Sequence, residues 1–175
     1  VELDLQVHQG INASYTSAGA AALVSRLQQL MDLAHLKLAL DQKSGRRTPG
    51  PVLSSLAQLR SVDLVDVGTP EQPLDLATLP SSLTAITLEQ CDVSFTETSS
   101  SGSDSGSSCA VQLPLLEWLA VWREVTDPYP QHVCLLLRQA PALTFLEYTG
   151  DCRGFIDMAA GVLPQLQSLQ HIDLN

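Results

Sequence analysis

One hydrophobic signature recurs along the 175 residues and limits the fold more than any other property of the chain. The segments "LQQLMDLAHLKL" (27–38), "LSSLAQLRSVDL" (53–64), "ATLPSSLTAITL" (77–88), "AVQLPLLEWLAV" (110–121), "LLRQAPALTFLEY" (136–148) and "LPQLQSLQHIDL" (163–174) align on their last apolar residue. Those residues are Leu38, Leu64, Leu88, Val121, Tyr148 and Leu174, at spacings of 26, 24, 33, 27 and 26. Two positions earlier stand Leu36, Val62, Ile86, Leu119, Leu146 and Ile172, and five positions earlier Leu33, Leu59, Leu83, Leu116, Leu143 and Leu169. All eighteen sites are apolar, whereas a composition that is 45% hydrophobic supplies about eight by chance. "VELDLQV" at the start, with Leu3 and Leu5, has the form of the end of one more strand.

In a strand successive side chains point to opposite faces, so an x-L-x-L-x segment buries its two apolar residues and presents the other three. One such strand cannot bury its leucines alone. Stacked units build a continuous aliphatic ridge, in which each fully buried leucine contributes roughly 1.5–3 kcal/mol. Aromatic residues make up only 5% of the chain, which fits a core of aliphatic layers.

The stretches "LAHLKL", "LRSVDL", "LTAITL", "LEWLAV", "LTFLEY" and "LQHIDL" match the pattern L-x-x-L-x-L, and the sequence resembles the leucine-rich repeat family over nearly its whole length. The resemblance implies an α/β fold, a curved solenoid with a concave parallel sheet and convex helices or irregular segments. In "LEQCDV" (88–93), Cys91 stands three residues after the second leucine, which is most similar to the cysteine-containing subclass found in F-box substrate receptors. In that family the side chain at this place ties one turn's backbone to the next. The equivalent positions here are Asp41, Val67, Glu124 and Asp151, and Cys152 is one residue out of register, so the ladder is expected to be patchy.

The segments between the strands differ. "SAGAAALVSRLQQLMDL" (17–33), "PQHVCLLLRQA" (130–140) and "GFIDMAAGVL" (154–163) have helical spacing. "VDVGTPEQPLDLATLPSS" (65–82), with three prolines, is expected to be extended or turn-like, and "DQKSGRRTPGP" (41–51) to be a polar loop. The serine and glycine tract "TETSSSGSDSGSSC" (96–109) explains the long spacing before Val121; it has no apolar area to bury and is expected to be disordered. The chain begins at Val1 and ends just after a strand, so residues 1–175 read as a single repeat array cut from a longer protein, with strand-edge leucines exposed at its ends.

The formal charge of −10 repels phosphate backbones and anionic lipid, which disfavours nucleic acid and membrane surfaces and favours a basic partner. No apolar run approaches the roughly 18 residues of a membrane span. The four cysteines, Cys91, Cys109, Cys134 and Cys152, have neither CxxC pairing nor histidines at ligand spacing, so they read as reduced packing residues, not a zinc site. These features fit a cytoplasmic or nuclear protein. No Gly-x-Ser-x-Gly or phosphate-cradling loop occurs, and an open sheet offers a groove in place of a closed pocket, so an enzyme, a cofactor and a metal are not expected.

The register assigns the outward residues of each strand: Glu2, Asp4 and Gln6; His35, Lys37 and Ala39; Ser61, Asp63 and Val65; Ala85, Thr87 and Glu89; Trp118, Ala120 and Trp122; Phe145, Glu147 and Thr149; His171, Asp173 and Asn175. His35 and His171 read as solvated strand residues. Trp118, Trp122 and Phe145, flanked by Glu89, Glu147 and Asp173, have the makeup of an interface hot spot for a protein or peptide bearing apolar and basic residues. The alternative is that the indoles lie flat over Ala85 and Ala120 and bind nothing. Two functional readings follow for a chain of this kind. It is the recognition part of an F-box-type ubiquitin ligase adaptor, joined to a Skp1/cullin complex by an upstream segment, or it is a structural or sensor repeat array without ubiquitin chemistry.

Overall fold

The computed structural model describes residues 2–7, 32–40, 53–54, 56–68, 73–95, 113–123 and 130–175, with side chains left aside at 3–7, 40 and 130. Within them the chain is mixed α/β. Seven strands form one parallel sheet: β1 (Glu2–Val7), β2 (His35–Leu40), β3 (Ser61–Val65), β5 (Ala85–Glu89), β7 (Trp118–Trp122), β8 (Phe145–Thr149) and β9 (His171–Leu174). They neighbour one another in chain order. Two short strands, β4 (Leu74–Asp75) and β6 (Val93–Ser94), pair in parallel as a separate ribbon.

The pairing follows the sequence alignment column by column. Leu36, Val62, Ile86, Leu119, Leu146 and Ile172 are successive cross-strand partners, as are Leu38, Leu64, Leu88, Val121, Tyr148 and Leu174. From β2 to β8 both columns are buried. Ile172 lies on the last strand of the sheet. It is 44% exposed because β9 has a paired neighbour on its β8 side only.

A short turn precedes β3, β5, β7, β8 and β9 and explains the leucine three residues before the first inward strand position. The amides of Leu59, Leu83, Leu116, Leu143 and Leu169 each donate to the carbonyl three residues earlier, at 3.0 to 3.2 Å. The chain then enters the ladder by a repeated double bond: the amides of Arg60 and Ser61 share the Ala34 carbonyl, those of Thr84 and Ala85 the Arg60 carbonyl, and so on through Gln170 and His171 on Thr144. The Thr84 and Thr144 hydroxyls add a third donor to two of these carbonyls, each at 3.0 Å.

Two helices lie among the described residues: α1 (Pro130–Arg138) and α2 (Cys152–Ala159). Val133, Leu136 and Leu137 of α1 and Phe155 and Ala159 of α2 join the same core as the inward columns, so both cover one face of the sheet. Helix α2 begins two residues before the expected Gly154, because the Asp151 carboxylate accepts the Gly154 amide at 3.1 Å and caps it. It stops at Ala159 and is followed by a separate 3-10 turn at Leu163–Gln165, where Pro164 has no amide to extend a helix. The proline-containing 65–82 stretch carries β4 and a 3-10 turn at Leu76–Thr78, the irregular structure expected of it. Most of the 17–33 helix, the 41–51 loop and the 96–109 tract lie outside the described residues.

Candidate functional site

The uncovered face of the sheet is built from the alternate residues. In β3, β5 and β8 half-buried and buried positions alternate strictly, so the uncovered side is the outward set named from the sequence. Strand β7 breaks this pattern: Ala120, expected to face outward, is only 1% exposed. It is the smallest side chain in its neighbourhood and sits between Trp118 and Trp122 on its own strand and Thr87 and Glu147 on the flanking ones. The Trp122 Nε1–H donates to Glu147 Oε1 at 2.7 Å, spanning the strand boundary beside that methyl.

The two indoles therefore differ. Trp122 is half-buried and tied down by its hydrogen bond, while Trp118 is 42% exposed. Instead of lying flat over the sheet, Trp118 stacks on Phe145 with ring centroids 3.6 Å apart and planes within 4°. Phe145 stacks in turn on His171, at 4.7 Å and 6°. The result is a ladder of three parallel rings, one from each of β7, β8 and β9, all at the first position of the strand.

The six residues picked from the sequence fall in one region of this face. Trp118 stacks on Phe145 and Trp122 is bonded to Glu147; Glu147 and Asp173 are cross-strand partners, and Glu89 is the partner of Trp122. Glu89, Glu147 and Asp173 are each half-buried. Asp173 also accepts the Asn175 side-chain amide at 2.9 Å. His171 belongs to the site although it reads from the sequence as a solvated residue. It is exposed, yet its ring is held by Phe145, and the signal for this was its column, which places it beside Phe145 in the register.

Asp92 and Arg123 carry no mark in the repeat pattern, yet they form a buried ion pair at 3.6 Å between the β5 and β7 ends, at 7% and 6% exposure. The Arg123 charge is thus spent inside the fold, and the outward positions of β5, β7 and β8 carry carboxylates and no lysine or arginine.

Three cysteines are described and all are free thiols. Cys91 is buried, and its Sγ–H lies 3.3 Å from the Leu64 carbonyl of the preceding unit. Cys152, expected to be out of register, makes the corresponding link forward: its Sγ is 3.3 Å from the Asn175 carbonyl, and the place one residue earlier is used by Asp151 as a helix cap. Val67 at the equivalent place is buried and apolar. Burial pushes the Cys91 thiol up to about 12 and also raises Cys134, which keeps both protonated and unreactive near neutral pH.

Among the described residues no three His, Cys, Asp or Glu side chains come together as a metal-holding group, and no helix is long and apolar enough to cross a membrane. The chain matches no family model, no curated protein and no solved structure with which it was compared.

Proposed function

We propose that the chain is part of a leucine-rich repeat solenoid and acts as a binding module without chemistry of its own, taking a protein or peptide with apolar and basic residues on the concave face of its sheet. Several features support the architecture. Strand order follows chain order without the reversal that makes a ligand crevice in doubly wound sheets. Both described helices lie on one face, whereas parallel sheets of ordinary α/β domains are covered on both.

The observation that carries the binding reading is the Trp118 ring, 42% exposed yet fixed by stacking on Phe145. An ordered aromatic anchor loses little conformational freedom on binding, and anchors of this type dominate interface energies. The carboxylates of Glu89, Glu147 and Asp173 on the same face, with a net charge of −10, favour cationic groups on the partner. Panning a displayed library of random peptides against the full chain tests this. Enriched peptides are expected to combine basic and apolar residues and to lose about thirtyfold in affinity against the Trp118→Ala plus Trp122→Ala variant. Selection of acidic peptides, or equal binding to the variant, would overturn it.

Cys91 favours a narrower version. A thiol that links one unit to the carbonyl of the one before resembles the cysteine-containing repeats of F-box substrate receptors. On this reading the chain chooses targets for ubiquitin transfer in the cytoplasm or nucleus, and an upstream segment contacts the Skp1/cullin complex. Affinity capture of the full-length protein from its native cell, scored for cullin-complex subunits, separates this from a structural or sensor array, which would bring down other partners without them.

A further inference from the structure

Trp118 is supported from one side. Its cross-strand partner on β5 is Ala85, a side chain of a single carbon, and among the described residues the one ring against its indole is Phe145. How firmly Trp118 is placed therefore depends on how firmly Phe145 is placed. The two rings stand with centroids 3.6 Å apart and planes within 4°, a face-to-face sandwich. Aromatic pairs left to themselves prefer offset or edge-to-face arrangements with centroids about 4.5–7 Å apart, so a sandwich needs a neighbour that stops one ring from sliding or turning. His171 stands where such a neighbour is needed. It is the partner of Phe145 on β9, across from Trp118 on β7, and its imidazole lies 4.7 Å from the phenyl ring with planes within 6°.

We propose that His171 is a positioning residue: it closes the second face of Phe145, keeps that ring from turning away, and thereby holds Trp118 in the attitude in which it meets a partner. This rests on the peptide-binding reading given above and adds that His171 acts on binding through Phe145, not through a contact of its own. Among the described residues no hydrogen bond or ion pair engages the imidazole, so the phenyl ring is what its side chain holds. The residue type suits the place. An imidazole is flat enough to cover a phenyl face, and its two nitrogens are satisfied by water at this exposed position. A leucine would offer no plane and would leave apolar area open. The two indoles are then held by independent means, Trp118 by the ring ladder and Trp122 by its bond to Glu147.

That independence supplies the test. Trp118 and Trp122 are the two tryptophans of the chain, so Trp122→Phe leaves Trp118 as the single indole, and Trp118→Phe leaves Trp122. Time-resolved fluorescence anisotropy of the free full chain in the first background reports the local motion of Trp118. Titration of the same His171 variants in the parent chain, with a peptide enriched by the library selection, reports affinity. His171→Ala is expected to add a fast depolarising component at Trp118 and to weaken the peptide about fivefold, with the thermal melt unchanged; His171→Tyr, which returns a flat ring with a polar edge, is expected to restore both. Trp122 observed alone should not respond to either variant. Unchanged motion of Trp118 in His171→Ala would overturn the proposal, and so would added motion with no loss of affinity. Weaker binding without added motion would also overturn it, since His171 would then be a contact of the peptide, as would a His171→Tyr chain that stays as mobile as the alanine chain. The anisotropy is measured without ligand, so a chain that selects no peptide ends the binding reading, while the hold of His171 on Trp118 is still decided by the anisotropy.

Discussion

The two faces of the same strands follow different rules. On the covered face Leu119, Leu146 and their column neighbours from β2 to β8 are interchangeable aliphatic side chains, and any one of them could be exchanged for another of similar volume with modest cost. On the open face the residues are not interchangeable: Trp118, Phe145 and His171 stack as rings, Trp122 is bonded to Glu147, and Ala120 is buried because everything around it is larger. Repetition is therefore a property of the side that holds the fold together. Individuality is concentrated on the uncovered side, the one proposed above to bind.

Substitutions can break this contrast, and the largest effect is expected on the covered face. Leu143 and Leu116 are fully buried, and Leu143→Ala should cost about 2–5 kcal/mol by removing packed methyl groups and leaving a cavity. Urea unfolding measures this, and an unchanged midpoint would contradict the assignment of that leucine column to the core.

The next effect concerns pH. The Cys91 thiol ionises at about 12 in the fold against 9.0 in the unfolded chain. Between these values the unfolded chain has released a proton that the folded chain keeps, so stability falls as pH rises, by about 1.4 kcal/mol per unit. The contribution is intact below the unfolded value. Cys91→Ala, less stable than the parent at neutral pH through its lost packing and sulfur contact, should close the gap by roughly 2–3 kcal/mol towards about pH 11. Parallel stability curves for parent and variant would count against the buried thiol.

A smaller effect belongs to the open face itself. Trp122→Phe keeps an aromatic ring and removes the Nε1–H that Glu147 accepts, and at this half-buried site the loss should be about 1 kcal/mol. Chemical denaturation checks it. A much larger value would make Trp122 part of the core and blur the division between the faces.

Much of the sheet was legible in the sequence because inward positions are set by alternation and by a repeated requirement for burial. The register leaves no ambiguity where every unit supplies an apolar residue at the same place, as Val62, Ile86 and Leu119 do. The exceptions have local causes. Ile172 follows the pattern but lies in a strand paired on one side, a matter of position in the sheet and not of residue type. Ala120 obeys the alternation of direction and is still buried, since exposure depends on the size of neighbours on three strands. The six candidate residues come together by column, whereas the inclusion of His171 and the distinct states of the two indoles depend on side-chain angles that spacing does not encode. The Cys152 link was hidden because Asp151 uses the aligned place for a helix cap.

The division of labour between the faces is tested most directly by one variant measured twice. Trp118→Ala, assayed for unfolding free energy and for affinity toward a peptide selected on the parent chain, is expected to change stability by less than about 1 kcal/mol and to weaken binding by at least about tenfold. Unchanged affinity, or a loss of stability comparable to that of Leu143→Ala, would contradict the account.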